Sequence, residues 1–288
     1  MKSSTSGLVL ASDASIDLQL HTVNSDGNWQ PDELIDYLIK DGFKLAAITD
    51  HDRIDTAAAL QKLALAKHFP LLIAVEMSAV WHGKATDVLC YGFDLDRSND
   101  LNDLAQFVAR RQRENTREVY GRLVLNDDLP PESEDSNDLE TILHTPSAQQ
   151  PHDLVALIKK YRPDHPAPDK LVKAAGLFFA TVDIQAVVAT THKSGGVCLL
   201  AHPGRGGDSN FDEALLDQLR REVPVDGLEV YYPGHSISRI SRYLVYARKH
   251  NMLVSAGSDS HGRESLPVKY PANLCRMLLE RLGIQIER

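Results

Sequence analysis

Apolar and polar residues alternate at Ile16, Leu18 and Leu20, a two-residue period that predicts a strand and turns Asp17, Gln19 and His21 to its other face. The strand runs into a polar turn ending in Asp26-Gly27. A helix is predicted next, with Pro31 at its start, Asp32 and Glu33 in its first turn, a core-facing set of Leu34, Tyr37 and Leu38, and Gly42 as its stop. Lys44–Thr49 reads as a second strand, Thr56 to Lys67 as a helix, Leu71–Val75 as a third strand and Asp87–Phe93 as a fourth. From about residue 183 the alternation resumes. A helix ends near Gly195-Gly196, and Val197–Ala201 is a buried strand. Helices over Phe211–Glu222, Ser236–His250 and Asn273–Leu282 are interleaved with strands Gly227–Tyr231 and Leu253–Gly257. Seven strands alternating with helices predict a parallel sheet, open or closed.

The middle of the chain breaks this rhythm. Leu101–Leu125 reads as one long charged helix carrying Arg110, Arg111, Arg113 and Arg117. Asn126–Gln150, rich in Asp, Glu, Ser and Pro, reads as loop, and Pro151–Tyr161 as helix. Arg162–Pro168 contains too many prolines to be helical. The expected organisation is an α/β body over 16–100 and 183–288, interrupted by a helical insertion over 101–182. Residues 1–15 are expected to form a loose tail. Their apolar run, Leu8–Ala11, is too short for a signal-peptide core, and no run approaches a membrane span.

Composition adds limits. The 288 residues are 43% hydrophobic and 25% charged, ordinary for a globular chain. A net charge of -9 argues against sequence-independent binding to a long nucleic acid. Small anionic substrates remain open, because a bound metal reverses the local field. The three cysteines, odd in number and without CxxC spacing, suit a reduced cytoplasmic protein.

The chemistry-bearing residues gather at the C-terminal ends of the predicted strands. His21 and Asp26 follow the first, Thr49-Asp50-His51-Asp52 the second and Glu76 the third. His202 follows Val197–Ala201. Asp259 and His261 follow Leu253–Gly257. In a (βα) barrel those ends share one face. Each piece alone has a plain structural reading: a strand-end histidine is often just hydrogen-bonded, and Asp50 or Asp52 would serve as a helix cap. Together, four histidines and three carboxylates point to a multinuclear metal site. A structural zinc would close itself with four ligands.

These motifs resemble the PHP (polymerase and histidinol phosphatase) family of metal-dependent phosphoesterases. The similarity covers about 16–100 and 190–262. It is carried further by Glu76-Met-Ser78, Ala201-His-Pro-Gly-Arg205, Asp226-Gly-Leu-Glu-Val-Tyr-Tyr-Pro233 and Gly257-Ser-Asp-Ser-His-Gly262, which are like those of the stand-alone bacterial branch. The resemblance implies a distorted (βα)7 TIM-like barrel with up to three divalent metals. It implies His21, Asp26, His51, Glu76, His202, Asp259 and His261 as ligands, with Glu76 bridging. Glu76, His202 and Asp259 would bear on catalysis. Two family histidines are missing: Gln19 and Asp87 stand at those positions; His82 is a candidate stand-in for the second, but Trp81-His-Gly83 reads more like a hairpin tip. If Gln19 and Asp87 coordinate, the set leans from zinc toward manganese, magnesium or iron. For the phosphate, Arg205 is the best-placed donor, and Arg113, Arg117 and His235 are further candidates; for Arg113 and Arg117, pairing with Glu114 and Glu118 is the alternative. The implied function is hydrolysis of a small phosphorylated substrate by a metal-bound hydroxide, the substrate being a nucleotide, nucleoside bisphosphate or short oligonucleotide. The alternative is a degenerate barrel that binds a phosphorylated ligand or partner with little turnover.

Overall fold

The computed structural model describes residues 4–130, 137–206 and 210–287. In chain order the strands are β1 (Val9–Leu10), β2 (Ser15–Leu20), β3 (Leu45–Ile48), β4 (Leu71–Leu72), β5 (Ala74–Trp81) and β6 (Lys84–Tyr91). They continue with β7 (Val182–Asp183), β8 (Val197–Leu200), β9 (Gly227–Tyr231), β10 (Leu253–Ala256), β11 (Tyr270–Pro271) and β12 (Gln285–Ile286). The helices are α1 (Pro31–Lys40), α2 (Ala57–Ala66), α3 (Asn99–Leu125), α4 (Asp138–His144) and α5 (Gln150–Tyr161). After these come α6 (Pro168–Ala174), α7 (Ile184–Lys193), α8 (Glu213–Glu222), α9 (Ile237–Lys249) and α10 (Arg276–Arg281). The chain divides into two units, Met1–Ala105 with Val182–Arg288, and Gln106–Thr181.

The first unit is mixed α/β. Its six-stranded sheet has the order β10-β9-β8-β6-β5-β7, and its four-stranded sheet the order β11-β2-β3-β4. Most pairings are parallel, but β6 runs antiparallel to both β5 and β8. The ladders do not close into a barrel among the described residues. The two sheets meet instead through the isolated bridges Leu20–Ser260 and His51–Glu76. Strand interiors are buried on both faces: Ile16, Leu18, Leu45, Ala47, Leu89, Leu199 and Ala256 form one core. A second layer packs Leu34, Ile35 and Leu38 of α1 and Leu60 and Ala64 of α2 against Leu20, Ala46 and Ile48.

Three sequence expectations need correction. The third strand does not run through Leu71–Val75 to leave Glu76 at its end. The parallel ladder stops at Leu72, and a new strand, β5, begins at Ala74 with Glu76 inside it. The physical cause is the hairpin that follows. His82 and Gly83 both take positive φ (48° and 75°), the geometry of a tight hairpin turn, which folds β6 back antiparallel. Asp87 thus lies inside β6, opposite Ser78. The described part of the expected tail is not loose. β1 pairs in parallel with β12, and the Ser4 hydroxyl donates to the Leu71 carbonyl; residues 1–3 lie outside the described residues. Finally, the expected loop 126–150 contains α4, whose Leu139, Ile142 and Leu143 have helical spacing hidden by a polar background. Residues 131–136 of that loop lie outside the described residues.

The second unit has its own apolar core, in which Val119 and Leu123 of α3 pack with Ile142, Leu154, Ile158 and Val172. The prolines of 162–168 break the chain there, and α6 starts at Pro168. Among the described residues, no helix is long and apolar enough to cross a membrane.

Candidate metal centre

The alternation in β2 sends Asp17, Gln19 and His21 to one side, and all three are fully buried. Each is pinned to the segment after β10. Asp17 accepts from the backbone N–H groups of Ser258 and Val268, both at 2.9 Å. The Asp259 N–H donates to the Gln19 carbonyl at 3.0 Å, and the His21 N–H donates to the Ser260 carbonyl at 2.9 Å. Asp50, at the end of β3, organises the turn that carries Asp26. Its carboxylate accepts from the Thr22 N–H (2.6 Å), the Thr22 hydroxyl (2.7 Å) and the Ser25 hydroxyl (3.0 Å). Asp52 accepts from the Ser78 N–H, tying the end of β3 to β5.

These supports bring three overlapping donor groups together: His21, Asp26, His51 and His261; His21, Glu76 and Asp259; His51, Glu76 and Asp87. His21 Nε2 lies 3.1 Å from both Glu76 Oε2 and Asp259 Oδ1. His202 Nε2 lies 3.1 Å from Glu76 Oε1. The His21 ring stacks with those of His51 and His261, with centroids 4.8 and 4.3 Å away. Two of the donors, His202 and Asp259, hold positive φ (26° and 56°). Non-glycine residues in that region carry local strain, which the surrounding contacts must hold.

The fit to divalent ions rests on what these atoms lack. Both nitrogens of His21, Nδ1 of His51 and of His202, Oδ1 of Asp26 and Oε1 of Gln19 are buried without a hydrogen-bond partner. An unsatisfied buried polar atom costs about 1–3 kcal/mol. Several converging in one place, nitrogen and oxygen together, form a ligand set for divalent metals.

The electrostatics agree. Burial opposes charge on His202, but the neighbouring Glu76 carboxylate prevails and lifts its pKa to about 9. The same contest raises His21, through Asp259 and Glu76, and His51, through Glu76 and Asp26. Burial likewise opposes ionisation of Glu76 and Asp26, yet the histidines hold both carboxyls well below the usual carboxylate range. Burial and the Glu76 charge push Asp87 upward. Carboxylates and imidazoles thus compensate each other, with mutual attraction that a cation would replace.

Most of the sequence-predicted ligands converge, namely His21, Asp26, His51, Glu76, Asp87, His202, Asp259 and His261. Gln19 reaches the cluster as a hydrogen-bond donor. Its Nε2 donates to Glu76 Oε2 at 2.7 Å. His82 is no stand-in: it sits at the hairpin tip with its side chain 61% exposed, paired to Glu222 at 2.6 Å. Arg205 stands at the centre, with Nη1 3.7 Å from Asp259 Oδ2. His235, expected to contact substrate, has no free nitrogen. Its Nδ1 donates to the Val230 carbonyl, and its Nε2 accepts from the Gly204 N–H, both at 3.0 Å. It therefore clamps the turn after His202. Arg113 and Arg117 lie on α3 in the second unit and are exposed. The expected pairings with Glu114 and Glu118 are not theirs, since Arg111 pairs with Glu114 and Arg122 with Glu118.

Sequence reading missed Glu229 as a functional residue. Buried in β9, its Oε2 accepts from the N–H of the strained His202 at 2.9 Å, and its Oε1 has no partner. Burial pushes its pKa well up. A carboxylate inside the apolar run Gly227–Tyr231 was the available signal. Asp17 was legible only as a polar face. Burial raises it to about 7, against the Ser258 and Val268 hydrogen bonds.

Fold and donor set together define a class: a mixed α/β protein with a buried histidine–carboxylate cluster able to hold divalent metal. The chain is similar over nearly its whole length to proteins named as phosphatases and phosphodiesterases, although no protein-family model matches it. A 3',5'-nucleoside bisphosphate phosphatase of Chromobacterium violaceum is 24% identical over 294 residues, 96% of this chain and 99% of that protein. The 5'-3' exoribonuclease Rnm of Escherichia coli is 26% identical over 259 residues, 85% of this chain and 84% of that one. A solved structure from Bifidobacterium adolescentis, described as a candidate metal-dependent phosphoesterase, shares the fold. Its TM-score is 0.75 at 24% identity, and the match covers 96% of each chain.

Proposed function

We propose that the protein is a metal-dependent phosphoesterase that hydrolyses a small phosphorylated substrate: a nucleotide, a nucleoside bisphosphate or a short oligonucleotide. The observation that carries this reading is the set of three overlapping histidine–carboxylate groups, two of which share Glu76, beside the half-exposed guanidinium of Arg205. His21, Asp26, His51, Glu76, Asp87, His202, Asp259 and His261 would hold up to three ions, with manganese, magnesium or iron favoured by the share of oxygen donors and zinc also accommodated. Such ions supply charge that acidifies water and neutralises the phosphate oxygens. The chain's own groups do the rest. Arg205 grips two phosphate oxygens with its planar guanidinium. Glu76 and Asp259 hold the charge balance at the reacting phosphorus, and His202 is fixed against Glu76 within the same donor set. One P–O bond forms to water, one P–O bond to the alcohol breaks, and the alcohol leaves with a proton that came from the water. The relatives include both a nucleoside bisphosphate phosphatase and a 5'-3' exoribonuclease. The net charge of -9 favours the small end of that range.

A panel with added manganese tests this: an aryl phosphate, nucleotides, a 3',5'-bisphosphate, and 5'-phosphorylated oligoribonucleotides of increasing length. Phosphate release from the small members, falling with length, is the expected result. No release from any member with any divalent metal would overturn it. It would leave the second reading, a phosphate-binding α/β protein without turnover, which one observation favours: the Gln19 amide donates to Glu76.

A further inference from the structure

The three donor groups are unequal, and Gln19 makes them so. One group needs nothing from it. Asp26, His51 and His261, together with His21, offer four donors, and the turn bearing Asp26 is fastened by Asp50. The group of His21, Glu76 and Asp259 offers three. Beside it the Gln19 Nε2 points its N–H at Glu76 Oε2, so a partial positive charge and a proton lie against a lone pair that an ion needs. Rotating the amide would turn its unpartnered Oε1 to that side, at the cost of the 2.7 Å hydrogen bond. Gly257 packs closely on Gln19: a Cβ added there would lie 2.4 Å from the Gln19 Cβ. The half-exposed guanidinium of Arg205 stands on this side, 3.7 Å from Asp259. An anion drawn to Arg205 therefore arrives at the group that is short of a donor.

Resting on the phosphoesterase reading, we propose that the centre is two-tiered. The Asp26–His51–His261 position holds a divalent ion by itself. The His21–Glu76–Asp259 position binds its ion weakly until a phosphate group, held by Arg205, supplies the missing oxygen donor. Substrate would then recruit an ion, and Gln19 sets the strength of that coupling.

Equilibrium dialysis against Mn2+ with elemental counting tests this on the whole protein, with and without inorganic phosphate. The native chain is expected to retain one ion alone and to gain at least one more with phosphate. Q19H is expected to take the further ion without phosphate, its weak class tightening by about 10–100-fold. R205M should lose the phosphate effect and keep the first ion. Equal affinity for every ion in the native chain without phosphate would overturn the proposal, and so would a native count that phosphate leaves unchanged. The native measurement stands even if a variant fails to fold. Turnover is scored separately, so an inactive protein with phosphate-dependent uptake loses the enzyme reading alone. An active one that fills every position without phosphate loses this inference alone.

Discussion

The two sides of the centre are built alike and furnished differently. On the Asp26 side, four donors converge from three segments, and Asp50 locks the carboxylate-bearing turn with hydrogen bonds to backbone and side chains alike. On the Glu76 side, the donors rest on a strained His202 held by Glu229, and one donor position is an amide facing the wrong way. The lesson is that the ligand set alone does not define such a site. The groups behind the ligands decide whether each position is ready or must be completed.

Removing the shared donor should have the largest effect. Glu76→Gln takes a carboxylate from two of the three groups, and turnover should fall by more than about 100-fold while the ion count drops. Asp26→Asn should instead remove the tightly held ion and leave phosphate-dependent uptake measurable by dialysis. If the two variants lose the same ions, the sides are not distinct.

Next come the supports. Asp50→Ala strands the Thr22 N–H and two hydroxyls, at about 1–3 kcal/mol of stability. It should also weaken the Asp26 side by about 10–100-fold. Denaturant melts and metal titration read the two effects separately. On the other side, Glu229→Ala should cut activity by about 10–100-fold, whereas Glu229→Gln, which keeps an acceptor for the His202 N–H, should retain most of it. Equal loss in both variants would mean that the Glu229 charge matters more than its hydrogen bond.

A smaller effect concerns pH. In the metal-free protein His202 binds its proton more tightly when folded, with a pKa of about 9 against an unfolded value of about 6.5. Its contribution to stability is therefore complete below about pH 6.5 and is lost as pH rises through about 9. Metal needs the neutral imidazole, so the stabilisation by manganese should grow over the same window. Thermal melts with chelator and with manganese from about pH 6 to about pH 9 should diverge; parallel curves would remove His202 from the coupled set.

Much of this was legible in the sequence, for a physical reason. Strand period and strand ends are local signals, so the alternation around Leu18 and the position of His202 after an apolar run could be read directly. The ligand residues announce themselves by type. What stayed hidden depends on pairing. Nothing local distinguishes a strand that stops at Leu72 from one that continues to Val75, because Ile73 is as apolar as its neighbours. The role of Glu229 depends on the backbone of a residue 27 positions away. His235 looked like a ligand by type, and only its two backbone partners reveal a clamp. The donor sense of Gln19 likewise requires knowing that Glu76 lies within reach.

The hydrogen bonds of Asp17 carry a consequence for biosynthesis. Its partners, Ser258 and Val268, follow it by 241 and 251 residues. A ribosome adding roughly 5–20 residues per second needs about 10–50 s to cover that distance. Throughout that interval the nascent chain displays His21, Asp26 and His51 without Asp259 and His261. The donor cluster is thus completed only after that interval, during which a half-made chain can hold an ion with an incomplete set.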